Sequence, residues 1–158
     1  MKLDLSCDLS CGLFQARSAV KTLGLLNYVA NPIMKFECVE LIGEQKLLEA
    51  KPYVMKVKLF GMLPVGLHTM DFSYMDAEGS FVMRDNGYSD LCKKWDHIMS
   101  FTANELGVRY RDRADISAGV LTPFVWLFAL FFYKHRQRRW KRLAIHNFKA
   151  LSVDRKSC

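Results

Sequence analysis

The stretch with the tightest structural consequence is "GVRYRDRADI", residues 107–116. Arg109, Arg111, Arg113 and Asp115 fall on one side of a two-residue repeat, and Val108, Tyr110, Asp112, Ala114 and Ile116 on the other. That period predicts a strand with one face against water and one against a core, the pattern of an antiparallel sheet. "WDHIMSFT", residues 95–102, alternates in the same way, so "ANEL" between them reads as a hairpin loop. A sheet carrying such strands needs an apolar cover for its inner face.

Residues 119–140, "GVLTPFVWLFALFFYKHRQRRW", supply one candidate cover. Residues 116–133 are 18 uncharged positions followed by a basic cluster, which meets the lower limit for a membrane span. Thr122 and Pro123 argue for a later helix start, with the hydroxyl as N-cap and proline where its missing N–H costs nothing. Only 11 apolar residues then precede Lys134, covering roughly 16 Å of a ~30 Å hydrocarbon core. Trp126, Leu130, Tyr133, Trp140, Leu143, Ala144 and Phe148 recur at helical spacing, with Gln137 interrupting. Lys134, Arg138, Lys141 and Arg142 fall on other faces. A sheet-covering helix is therefore expected, and a membrane-associated use of 119–142 stands as the alternative.

Upstream, "KLDLSCDL" alternates as a strand, and 13–29 reads as helix broken near Gly24 and closed by Asn31–Pro32. Further strands are expected at 33–41, 53–60, 67–75 and 80–85, joined by "GMLPVG" and "DAEG", with Asn86–Gly87 opening a loop to Trp95. The 158 residues suit one domain over 1–150 with a tail at 151–158. Six of the basic residues lie within 134–142, so the net charge of +7 falls to +1 elsewhere. A charge confined to one helix predicts a solvated face, or peripheral contact with an anionic membrane through 134–142, and no specific nucleic-acid partner. The five cysteines are odd in number and lack metal-site spacing, and the N-terminus lacks a signal-peptide core. Reduced thiols and a cytoplasmic location are expected, with no metal and no cofactor. Hydrolase, zincin and nucleotide-binding motifs are absent from the sequence.

The segment from "WDHIMSF" through "GVRYRDRADI" to "YKHRQRRWKRL" resembles the SRPBCC, or START-like, superfamily of polyketide cyclases, pollen-allergen-like proteins and lipid-transfer domains. The resemblance implies an α+β helix-grip fold: a curved antiparallel sheet of about seven strands around a long C-terminal helix, with two short helices after the first strand. It also implies an apolar cavity for a small hydrophobic ligand, such as a lipid or a polyketide-like molecule, and no family-wide catalytic set.

Two groups of residues could serve such a cavity. With a four-residue "ANEL" loop, Thr102 faces Gly107, and His97 then faces Asp112 on the inner side. A carboxylate there would orient the ring and favour its protonated form. This pair could act as acid and base in a cyclase or dehydratase, or simply satisfy itself and help set register. The second group is apolar with polar tips. His68, Met70, Phe72 and Tyr74 form one inward row, and Tyr53, Tyr110 and Tyr133 could add polar anchors. Met55, Met83 and Met99 project inward beside Phe81, Trp126 and Leu130. Flexible thioethers and large rings suit an adaptable pocket and equally suit a plain core.

Overall fold

The computed structural model describes residues 1–40, 43 and 48–152. Strand β1 (Lys2–Leu9) is followed by helices α1 (Leu13–Val20) and α2 (Leu23–Ala30). Strands β2 (Met34–Cys38), β3 (Pro52–Leu59), β4 (Leu63–Ala77), β5 (Ser80–Ser89), β6 (Lys94–Asn104) and β7 (Gly107–Ser117) come next. The long helix α3 (Thr122–Ile145) and a short α4 (Lys149–Ser152) complete the described chain. The seven strands form one curved antiparallel sheet in the order β1-β7-β6-β5-β4-β3-β2. Only the β1–β7 pairing joins distant parts of the sequence. The fold class is the expected one.

The alternation in β7 sorts as its chemistry requires. Outside, Arg109 bonds Asp8 and Ser6, Arg111 meets Asp4 bidentately and Lys94 meets Asp115, binding β1, β7 and β6 across the solvent face. Inside, Val108, Tyr110, Asp112, Ala114 and Ile116 are buried. α3 lays Ala129, Phe132, Tyr133, Trp140, Leu143 and Ala144 against this face. Among the described residues no helix is long and apolar enough to cross a membrane. The cysteines described, Cys7, Cys11, Cys38 and Cys92, are free thiols.

Several local expectations are corrected. The break in the first helical segment lies at Lys21–Thr22, where the Thr22 hydroxyl accepts the Leu25 N–H and caps α2; Gly24 sits inside α2. Thr122 does not cap α3. It is the first helical residue, and its hydroxyl accepts the Ala118 N–H and donates to the Gly119 carbonyl, tightening the turn before the helix. Asn86–Gly87 opens no loop: both lie in β5, which pairs with β6 as far as Gly87–Trp95. "GMLPVG" is mostly strand as well, with the reversal confined to Phe60–Met62 and an irregularity at Val57/Lys58. The expected strand 33–41 is seen as Met34–Cys38, and its residue 41 lies outside the described residues. So do residues 153–158 of the expected tail.

The β6–β7 hairpin is also tighter than expected. Asn104 pairs with Gly107 around a two-residue turn at Glu105–Leu106, so His97 faces Ala114 and Met99 faces Asp112. The shift of two positions leaves every side chain on its expected face, because the side-chain period of a strand is two. Gly107 makes the tight turn workable: its φ is +125°, and a Cβ there would lie 2.5 Å from the Leu9 carbonyl oxygen.

Candidate ligand site between sheet and terminal helix

A cavity of about 380 Å³ lies between β2–β5, the 89–92 turn and the first half of α3. Phe36, Val57 and Met70 form its sheet wall, and Phe128 and Phe132 its helix wall. Val65, Leu67, Leu91 and Phe124 also line it and are exposed, so they mark an apolar mouth. Its polar lining includes His68, Asp85, Ser89 and Asp90, with no lysine or arginine among the described residues.

Of the sequence-predicted residues, His68 and Met70 line this cavity; the others lie elsewhere. Tyr53, Met55, Phe72, Phe81, Met83, Met99 and Tyr110 are buried in the packed core. The phenol tips are taken up within the protein. The Tyr53 hydroxyl accepts the Glu49 N–H at 3.0 Å, and Tyr74 donates to the Leu48 carbonyl at 2.8 Å. The Tyr133 hydroxyl accepts the Trp95 indole N–H at 2.9 Å. Trp126 donates to the Lys2 carbonyl at the sheet edge. The cavity-facing stripe of α3 is thus Phe124, Val125, Phe128 and Phe132, not Trp126, Leu130 and Tyr133. The sequence stripe located the face of α3 that meets β1 and β7, while the cavity lies beside it, towards β3 and β4.

His97 and Asp112 do meet: Nε2 of the ring lies 2.8 Å from Oδ1 of the carboxylate. They meet diagonally, given the observed register. Tyr110 donates to the same oxygen at 2.5 Å, and Gln137 Nε2 donates to Oδ2 at 2.9 Å. Burial pushes the His97 pKa down despite Asp112, so the expected imidazolium is replaced by a neutral ring donating to a carboxylate. Burial opposes charge on Asp112 too, but the bonds from His97 and Tyr110 and the nearby Arg136 charge hold its pKa below the usual range. Neither residue of the pair lines the cavity.

Two buried charged residues were missed by the sequence reading. Arg136 was assigned to the solvated basic face, yet it is 5% exposed. Its guanidinium lies over the Tyr133 ring, one nitrogen reaches Met99 Sδ at 3.6 Å, and Nε has no hydrogen-bond partner among the described residues. Helical spacing alone could have found it, since it stands four residues before Trp140 on the inward stripe. Lys134, Arg138, Lys141 and Arg142 are exposed as expected. Asp85 is likewise 5% exposed, and among the described residues only one of its oxygens is bonded, Oδ1 accepting the Asp71 N–H at 3.0 Å. Burial lifts its pKa to about 8. Its signal was the row Phe81, Met83, Asp85 within the expected strand 80–85. Gly87, two residues on, lies against His68: a Cβ there would be 2.6 Å from His68 Nε2 and 3.2 Å from Asp85 Oδ1. Burial lowers the His68 pKa to about 4, so this ring is neutral.

No protein-family model matches the chain, and no curated protein matches it in sequence. Solved structures do match in shape. A START superfamily protein from Mycobacterium smegmatis superimposes with a TM-score of 0.63 at 10% identity, covering 92% of this chain and 97% of that one. This is a START-like fold. The SRPBCC architecture recurs in Ara h 8.0201, with a TM-score of 0.62 at 11% identity over 92% of this chain and 98% of that one. An AHSA1-like protein from Aeromonas hydrophila matches all of this chain and 99% of its own, with a TM-score of 0.59 at 12% identity. At such identities the likeness concerns the fold and carries no site residues across.

Proposed function

We propose that this START-like protein binds a small hydrophobic molecule, lipid- or polyketide-like, in the cavity between β2–β5 and the first half of α3. The observation that carries this reading is the cavity itself, about 380 Å³ of apolar-walled space with an exposed apolar rim. Pockets of roughly 300–1,000 Å³ hold ordinary small ligands, with a few polar groups setting orientation. His68 and Asp85 are such groups. An acid/base role for His97 and Asp112 has less support, because both are enclosed and the carboxylate is already saturated by His97, Tyr110 and Gln137. Peripheral contact of 134–142 with an anionic membrane rests on the exposed Lys134, Arg138, Lys141 and Arg142 alone.

Native mass spectrometry of freshly purified protein is expected to reveal a co-purified apolar molecule. Val57→Phe places a ring in the cavity and should abolish that adduct while preserving the fold. An adduct of equal abundance in Val57→Phe would remove the cavity from the proposal, and a bare wild type that takes up no apolar probe would remove the function.

A further inference from the structure

Asp85 is a costly residue for the wall of an apolar cavity. An ionised carboxylate buried without a counter-ion loses most of its hydration, so such a group takes up a proton instead. No lysine, arginine or histidine nitrogen lies within ion-pair distance of it among the described residues: Arg136, the nearest buried cation in its surroundings, forms no ion pair. Oδ1 already accepts the Asp71 N–H. Oδ2 has no hydrogen-bond partner among the described residues and is not one of the fully enclosed unpartnered atoms. A protonated Asp85 therefore holds an unused O–H donor at the edge of the cavity.

The rest of the lining narrows what could accept that hydrogen. With no lysine or arginine among the described lining residues, an anionic headgroup would bury its charge there without a counter-ion. An ammonium would have to displace the Asp85 proton and bury its own charge as well, and buried ion pairs of that kind gain little over neutral contacts. A neutral oxygen acceptor costs neither. We propose that the cavity selects a neutral apolar molecule bearing a carbonyl oxygen, which accepts a hydrogen bond from the protonated Asp85 carboxyl. This rests on the cavity-binding reading and adds the ligand's chemical class.

Several groups surround Asp85: His68, Asp71 and Tyr74 on β4, Asp96 and His97 on β6, and Tyr133 and Arg136 on α3. The two histidines are held neutral by burial, and Tyr133 and Arg136 titrate far above neutrality. Asp85, at about 8, is then the group whose charge changes between pH 6 and 9.5.

The test is calorimetric binding of 2-decanone, decanoate and decylamine, each below its aggregation concentration, to wild type, Asp85→Asn and Asp85→Leu. At pH 7 the ketone should bind wild type about tenfold more tightly than decanoate does, the scale of one hydrogen bond. Its affinity should fall about tenfold between pH 7 and pH 9.5 as Asp85 loses its proton. The carbonyl stretch of the bound ketone should move to lower frequency. Asp85→Asn should keep ketone binding without that pH dependence, because its amide NH2 takes the place of the O–H while its oxygen still accepts from Asp71. Asp85→Leu should lose about tenfold and the frequency shift.

Decanoate binding as tightly as the ketone would overturn the inference, as would decylamine binding more tightly with affinity rising towards pH 8. Equal, pH-independent binding of all three would also overturn it while leaving the cavity reading intact. Failure of every probe to bind wild type would instead defeat the cavity reading. A variant that fails to fold leaves the wild-type pH dependence and carbonyl frequency to decide.

Discussion

Asp85 on β5 and Asp112 on β7 stand on the inward rows either side of β6, are both buried, and at neutral pH are in opposite states of charge. Asp112 accepts hydrogen bonds from His97, Tyr110 and Gln137 and has the Arg136 charge nearby, so it is ionised. Asp85 has one backbone donor and is not. The difference has measurable consequences for stability. A carboxyl whose pKa rises on folding binds its proton more tightly in the native state, so its contribution is complete below pH 4 and is lost as pH rises towards about 8. Asp85→Asn has no proton to lose. The stability of this variant relative to wild type should therefore increase from pH 5 to pH 8, by about 3–4 kcal/mol, measured as the difference between paired urea melts. A constant difference would mean that Asp85 is ionised throughout. Asp112→Ala leaves three buried polar groups and Arg136 uncompensated and should cost about 3–5 kcal/mol; a loss below about 1 kcal/mol would mean that the network is not formed.

At the scale of elements, the β6–β7 hairpin and α3 hold each other in place. The two-residue turn at Glu105–Leu106 sets the β6–β7 register, and that register brings Phe101 opposite Tyr110. Their stacked rings, 4.8 Å apart, then receive Trp140 from α3 at 5.6 Å and 5.4 Å. Gly107 is the weak point of this arrangement, since it combines a positive φ with backbone on the side where a Cβ would stand. Gly107→Ala should cost about 2–4 kcal/mol in chemical denaturation, well above the usual effect of a surface-turn substitution. An effect under about 0.5 kcal/mol would indicate that the hairpin can adopt the longer loop without loss. Trp140 has no partner for its indole N–H among the described residues, so its value to the fold lies in packing area rather than in a hydrogen bond.

For the whole molecule, the two ends of the interior differ. Around Trp140 the space between sheet and helix is filled by rings and thioethers. Around Phe128 and Phe132 it is left open. An open apolar cavity loses dispersion contacts that a bound molecule can restore, so occupancy and stability are linked. Stripping a co-purified molecule should lower the melting temperature of wild type, and adding a probe at about 100 times its Kd should restore roughly 2.7 kcal/mol. Val57→Phe should show neither change, because the ring occupies the space. A stripped wild type that melts at the same temperature as the loaded protein would argue that the adduct sits on the surface.

The family resemblance of the last third of the chain implied the fold class, while the two-residue alternation of β6 and β7, the helical period after Pro123 and the order of the elements located the strands and helices. These signals are local, and each element's core-facing side follows from its own residues. His97 and Asp112 could be placed on one face for the same reason, and the two-position error in register did not disturb it. Where the interior is full and where it is empty is a different kind of fact. It depends on how α3 lies across the sheet, which sends Trp126 to the β1 edge and Phe128 and Phe132 to the cavity. The burial of Arg136 likewise depends on distant packing, as does the continuation of β5 through Asn86–Gly87, where the close approach of His68 leaves no room for a side chain. Asp85 shows the division at one residue. Its position on the inward row was legible in the alternation Phe81, Met83, Asp85. Its lack of a counter-ion, and with it the retained proton, was decided by which neighbours the tertiary structure brings to it.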